Sequence, residues 1–387
     1  MTTVDLYNLD PVLQIMGMGL LVAGLPLSVW AWRHRHAPMQ AKLRALTWLT
    51  LFLTFDLVLF GAFTRLTDSG LGCPDWPGCY GAASPVGAKQ HIQAAQTVMP
   101  DGPVTHGKAW IEMVHRYLAT GVGVMLVALA LGTRWAWHRA GRPHVVPPWM
   151  QRRGPVLLVL WVLLQGAFGA LTVTMKLFPA IVTLHLLLGV ALLAWLVMQA
   201  HRHEPGPAVT LSPRWRLVLL GAGGLLWLQL ALGGWVSTNY AVLACPDFPT
   251  CLGEWVPPWN GLGFDLWRPL GRAANGDWLP MSALVSIHFV HRSMAWLVLG
   301  VLAVLAWRLR RVPGLSRPAQ GLAGLVLLQL ATGVSNVVLG WPLLAAVLHT
   351  GGAAAMVMVL TWMAARTRAF SISSLAVPEA DSAKASA

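Results

Sequence analysis

The sequence predicts an all-α polytopic membrane protein: two tandem four-helix transmembrane bundles in a parallel pseudo-two-fold repeat, plus one extra N-terminal transmembrane helix. Three observations predict it. Of 387 residues, 56% are hydrophobic and 11% charged, and mean hydropathy is +0.60, whereas an ordinary soluble domain carries about 25% charged residues. Nine apolar runs are each long enough to cross a bilayer, which takes about 20 residues of helix. The two halves also repeat one another, most visibly in CPDWPGC (73–79) and CPDFPTC (245–251), which hold all four cysteines.

The runs lie at about 11–32, 46–66, 113–134, 155–174, 180–200, 216–236, 285–307, 319–340 and 344–365. The first is too long, and too far from any basic N-terminal stretch, for a cleaved signal peptide. The segment before it is acidic and has no small-residue cleavage site. Lys and Arg gather in alternate loops, at 33–44, 134–153, 201–216 and 308–318, and in the tail from Arg366. The positive-inside rule assigns these loops to the cytoplasm. The N-terminus and both cysteine loops (67–111 and 237–284) are then outside and the C-terminus inside, as expected in a bacterial cytoplasmic (inner) membrane. The net charge of +13 is thus a topology signal. It predicts no nucleic-acid partner, because no soluble face is available to display a basic patch. Membrane lipid is the partner that the composition does predict. The chain divides into 1–44 (extra helix and cytoplasmic loop), 45–201 (first bundle), 202–366 (second bundle) and 367–387 (a disordered cytoplasmic tail).

The repeat extends well beyond the cysteines. With Gly61 laid on Gly233, Cys73 and Cys79 fall on Cys245 and Cys251. EMVHRYLA (112–119) then matches HFVHRSMA (288–295), pairing His115 with His291 and Arg116 with Arg292. Gln165, Gly169 and His185 fall on Gln329, Gly333 and His349 without a gap. Four crossings separate equivalent points, so the repeats are parallel, and two side-by-side bundles follow.

Each cysteine pair encloses five residues, two of them proline in CPDWPGC and in CPDFPTC. On the oxidising side of a bacterial membrane disulfides persist, so Cys73–Cys79 and Cys245–Cys251 are expected to be bonded. Free or redox-active thiols are the alternative, with a metal site a distant third because no further ligand of suitable spacing sits beside either pair. The expected job is to shape a lid or to exchange with a partner thiol.

Of thirteen histidines, His34, His36, His138, His144, His201 and His203 sit in basic loops, and His91 and His106 in the first outer loop. His115, His185, His288, His291 and His349 lie in or at the ends of apolar runs, where an ionisable group is costly and points to function. A lone one could be a packed, hydrogen-bonded core residue. Four of them recur as two duplicated pairs near the outer ends of helices. Within each half one comes from the second helix and one from the fourth. That suits two imidazoles facing a planar iron macrocycle in a bundle core, ahead of another metal or a proton relay. His115, His185, His291 and His349 are therefore the expected axial ligands of two haem irons. Arg116 and Arg292 suit haem propionates and equally suit snorkelling to the interface.

The halves then diverge. Glu112 stands one turn before His115, and its counterpart is His288. The first half keeps Arg65, Thr67, Asp68 and Ser69 where the second has uncharged residues. A carboxylate beside a haem can position water or move protons, so Glu112 is the expected catalytic group. The asymmetry predicts chemistry in the first half and electron carriage in the second.

GAFTRLTDSGLGCPDWPGCYG, EMVHR, LHLLLG and HFVHR together resemble the bacterial haem A synthase family, which is related to the mitochondrial haem A synthase. The resemblance covers about residues 45–365. It implies oxidation of the C8 methyl of haem O to a formyl group, giving haem A for cytochrome oxidases. It also implies that His115 and His185 hold the haem being converted, with Glu112 in the family's glutamate–histidine motif, and that His291 and His349 hold a permanent haem b. Arg65, Arg116 and Arg292 would contact these haems. Implied partners are a haem O synthase and an electron acceptor such as a quinone, and a homo-oligomer is one expected assembly. Cys245, Cys251 and the helix at 11–32 depart from the simplest family pattern. Rival readings are a di-haem b electron-transfer protein linked to quinol, a non-catalytic haem carrier and a membrane thiol oxidoreductase.

Overall fold

The computed structural model describes residues 10–139, 148–203 and 206–369. Ten α-helices run through them: α1 (Asp10–Arg33), α2 (Met39–Leu66), α3 (Lys89–Val98), α4 (His106–Arg139), α5 (Pro148–Thr174), α6 (Pro179–His203), α7 (Pro213–Thr238), α8 (Met281–Leu309), α9 (Ser316–Val338) and α10 (Leu343–Arg366). All except α3 are long and apolar enough to cross a membrane, and they coincide with the nine runs. α2, α4 and α5 begin earlier than their apolar stretches, because helical hydrogen bonding continues through the polar interface. In hydrocarbon every backbone group must be satisfied internally, which leaves helix as the only spanning form for such segments. Side-chain hydroxyls obey the same demand. Thr47, Thr50, Thr54 and Thr64 of α2 each donate to the carbonyl four residues back, at 2.7–2.9 Å.

The amphipathic α3 in the first outer loop is absent from the sequence reading, since it is ten residues long with only Ile92 buried. Thr367–Ala369, read as the start of the tail, pair in parallel with Val209–Leu211. The remainder of the tail and the acidic segment 1–9 lie outside the described residues.

α2, α4, α5 and α6 pack in a ring, and so do α7, α8, α9 and α10. Between the rings α2 meets α10, α6 meets α7, and α6 meets α10. Exchanging equivalent helices maps this set of contacts onto itself, as a two-fold axis between the halves requires. The apolar core is continuous across the junction, with Leu126, Leu193, Leu302 and Leu360 in one buried cluster. Small residues allow the closest approaches. Gly19 of α1 abuts Thr120, and Gly121 of α4 abuts Val22. α1 therefore lies along α4, and its N-terminal end brings Pro11 beside Gly78 of the first cysteine loop.

The two ends of the molecule are distinct. Both cysteine loops and the start of α1 share one end. The described parts of the basic connections share the other, where Val209 and Arg366 lie beside Gly314 and the Trp30 indole donates to the Lys42 carbonyl at 3.0 Å.

Candidate functional site

Both cysteine pairs are disulfides, Cys73–Cys79 and Cys245–Cys251, and no cysteine among the described residues is free. The aspartate inside each heptapeptide organises its loop. Asp75 accepts the N–H groups of Tyr80 (2.6 Å) and Gly81 (2.7 Å). Asp247 accepts those of Leu252 (2.6 Å) and Gly253 (3.0 Å), and also the Thr250 hydroxyl (2.5 Å). The Thr250 hydroxyl and these amides hold the Asp247 carboxyl down at about 2.

The arginine after each histidine ties the loop to its helix. Arg116 Nη1 donates to the carbonyls of Asp75 (2.9 Å), Pro77 (3.1 Å) and Gly78. Arg292 donates to those of Asp247, Pro249 and Thr250, each at 3.0 Å. This carbonyl-clamping role differs from the propionate or interface roles that the sequence predicts for the same arginines. Glu112 adds a second latch in the first half only. It is buried at 3% exposure, accepts the Cys73 N–H at 2.7 Å and pairs with Arg116 Nη2 at 2.5 Å.

Under these loops lies one cavity of about 1420 Å³, lined by His115, His185, His291 and His349 together. Glu112, Arg116, Arg65, His288 and Arg292 line it too, and Trp76 and Phe248 bring the cysteine loops to its wall. A pocket for one drug-sized ligand occupies about 300–1,000 Å³, so this volume suits something larger. All four histidines face a glycine on a neighbouring helix. A Cβ at Gly61, Gly169, Gly233 or Gly333 would stand 3.1, 3.4, 3.0 and 3.3 Å from Cε1 of His115, His185, His291 and His349 respectively. The absence of a side chain there is what lets the Cε1 edge of each ring approach the next helix. One turn before three of these glycines is a glutamine whose amide donates to the histidine's main-chain carbonyl: Gln165 to His185 (3.0 Å), Gln229 to His291 (3.1 Å) and Gln329 to His349 (2.8 Å). At His115 the corresponding residue is Leu57, and Phe60 stacks on the ring instead.

Between the halves, at the cysteine-loop end, Arg65 Nη2 donates to the Ser237 carbonyl at 2.6 Å and its guanidinium lies 4.0 Å over the Tyr240 ring. The Tyr240 hydroxyl reaches Asp68 at 2.5 Å, and Lys108 pairs with Asp68 at 3.3 Å. Arg65 with Ser237, and Asp68 with Tyr240, are equivalent positions of the two halves touching one another. Arg65 Nε is buried without a partner, so of the three arginines at the cavity it keeps a buried donor unused.

Two imidazoles per half, glycine-backed and at one cavity, are the donors that would hold an iron macrocycle. Nδ1 of His115 and His185 are buried without partners, as befits rings placed for something other than core hydrogen bonding. Among the described residues no cluster of three or more His, Cys, Asp or Glu could hold a bare metal ion. The residues present thus fit a ligand that brings its own equatorial donors.

A family described as cytochrome oxidase assembly protein matches residues 44–361. A protein of Shewanella oneidensis named heme A synthase is 39% identical over 328 residues, covering 81% of this chain and 94% of its own length. The chain belongs to the haem A synthase family. Two further relatives carry the same name. One, from Halalkalibacterium halodurans, is 29% identical over 80% of this chain and 92% of its own. The other, from Caulobacter vibrioides, is 30% identical over 82% and 93%. The family match spans all eight repeat helices and both cysteine loops. It begins after α1, so this member braces its α4 with a helix from outside the matched region.

Proposed function

We propose that this chain is a haem A synthase that oxidises the C8 methyl of haem O to a formyl group, with the substrate in the first half and haem b in the second. One observation carries the reading. A single cavity reaches both histidine pairs, yet only the first has a buried carboxylate, Glu112, at its wall.

His115 and His185 hold the substrate iron from α4 and α6. Glu112, one turn from His115, holds or moves a proton at its carboxylate beside the rim of the substrate. Converting a methyl to a formyl group takes more than one oxidation, so the same carboxylate serves more than once while the substrate stays in place. The apolar lining and the two disulfide-closed loops exclude bulk water. Arg65, with its free Nε, is the first candidate to meet a propionate, with Arg116 and Arg292 behind it. Haem b, when bound by His291 and His349, supplies reversible one-electron redox chemistry.

The proposed setting is the bacterial inner membrane, with the cysteine loops outside. A haem O synthase supplies the substrate and an acceptor such as a quinone removes electrons. Reversed-phase chromatography of haem extracted from the purified protein, with and without co-expressed haem O synthase, tests this. Haem O, its alcohol or haem A beside haem b is expected. Haem b alone under both conditions overturns it in favour of an electron carrier.

A further inference from the structure

The four histidines occupy equivalent places, but their Nδ1 atoms do not have equivalent company. In the second half His349 Nδ1 lies 2.9 Å from Thr332 Oγ1, and His291 Nδ1 lies 3.0 Å from the Gln229 amide. In the first half Nδ1 of His115 and of His185 have no partner. The difference is written in the sequence. Thr332, three residues after Gln329, stands where the first half has Phe168, three residues after Gln165. Gln229 stands where the first half has Leu57, each four residues before the glycine that faces the ring.

An imidazole that ligates iron through Nε2 carries its proton on Nδ1 and needs an acceptor there. Thr332 supplies one. Its own proton goes to the Leu328 carbonyl at 2.7 Å, which leaves its oxygen to accept from His349. That fixes both the tautomer and the ring plane. Gln229 holds the main chain of His291, and its Oε1 has no partner. As placed, its amide nitrogen lies against Nδ1 as well, so Gln229 fixes where the His291 ring sits rather than accepting its Nδ1 proton. Phe168 and Leu57 can do neither. His115 is the least restrained of the four, because no glutamine holds its main chain either.

We propose that Thr332 and Gln229 are positioning residues that make the second-half haem a resident group, and that Phe168 and Leu57 leave the first-half imidazoles free to release their iron so that haem is exchanged there. This rests on the two-site reading above. An enzyme whose substrate and product are both haems must exchange one at every turnover and keep the other. Removing a second partner of a metal-bound imidazole typically weakens metal affinity by about 10–100-fold, and the chain has that difference built in between its halves.

Haem transfer from the purified, detergent-solubilised protein to excess apomyoglobin tests the proposal. In the unaltered chain, haem O or haem A should leave much faster than haem b. Thr332→Val and Gln229→Leu should each speed haem b loss about 10–100-fold, whereas Thr332→Ser should leave it slow. Thr332→Val should also raise the midpoint potential of haem b, because a ring that no longer donates from Nδ1 stabilises ferric iron less. The reciprocal Phe168→Thr should slow the loss of haem O and haem A, a gain that general damage to the fold cannot produce. Unchanged haem b loss in Thr332→Val, or unchanged haem O loss in Phe168→Thr, overturns the proposal. Haem b that survives His349→Ala with its spectrum intact overturns the two-site reading itself, which separates the two failures.

Discussion

In the first half, α4 is fastened to its cysteine loop through Arg116 and a buried carboxylate, and the rings of His115 and His185 lack polar partners. In the second half the carboxylate is gone, its place is taken by His288, and Thr332 and Gln229 touch the rings. What the halves share is scaffolding: a disulfide, an aspartate gathering loop amides, an arginine clamping loop carbonyls, and a glycine behind each histidine. What differs is the company of each ring's Nδ1 and the residue one turn before the first histidine. The same frame places both histidine pairs, and a handful of side chains around the rings distinguishes the halves.

The largest effect that could break this comparison is at Glu112. Glu112→Ala should slow haem A formation by about 10²–10⁴, the worth of one positioned acid–base group, while haem b content stays unchanged. Glu112→Gln keeps an acceptor for the Cys73 N–H and so separates loop anchoring from proton transfer. The same truncation at the equivalent position, His288→Ala, should cost far less. Equal losses at both positions would mean that the halves are not divided as described.

A smaller effect tests the glycines. A Cβ at Gly233 would stand 3.0 Å from the His291 ring, while one at Gly333 would stand 3.3 Å from His349. Gly233→Ala should lower haem b occupancy, measured by pyridine haemochrome, by about tenfold, on the scale of a disturbed ligand orientation. Gly333→Ala, facing the other ligand of the same site, should lower it less. The reverse order would remove the packing argument.

The smallest effect concerns the second cysteine loop. The Asp247 carboxyl is held at about 2, below its ordinary 3.8, mainly by the Thr250 hydroxyl and then by the Gly253 amide. A depressed carboxyl contributes stability that is present above its ordinary value and is lost as pH falls through the folded one. Hydrogen exchange at Leu252 and Gly253 should therefore stay protected at pH 5 and weaken towards pH 2, beyond the intrinsic pH dependence of exchange. Asp247→Asn should remove that pH-linked change. The first loop has Gly78 at the position equivalent to Thr250, where a Cβ would run into the Ala82 carbonyl, so Asp75 has no such hydroxyl to accept.

Much of this was legible in the sequence. The nine spans could be read because bilayer thickness sets a length that composition alone reveals. The repeat could be read because its markers are rare residue types: cysteine, and histidine inside apolar runs. α3 was missed because a ten-residue amphipathic helix in a polar loop resembles any loop. Gln229 and Thr332 were missed for another reason. A partner of a ligand leaves no composition signal, and only its spacing to Gly233 and Gly333 could have exposed it. The clamping by Arg116 and Arg292 depends on loop carbonyls, which every residue has and no sequence marks. Asp75 and Asp247 were in plain view inside the repeated heptapeptides, but their acceptors' role became visible only once the loops were closed.

The most direct test of the central claim, two unequal histidine pairs, is haem speciation in four single variants purified from cells that make haem O. His291→Ala and His349→Ala should lose the stable low-spin haem b. His115→Ala and His185→Ala should keep haem b and make no haem A. Loss of the same haem from all four variants would contradict it.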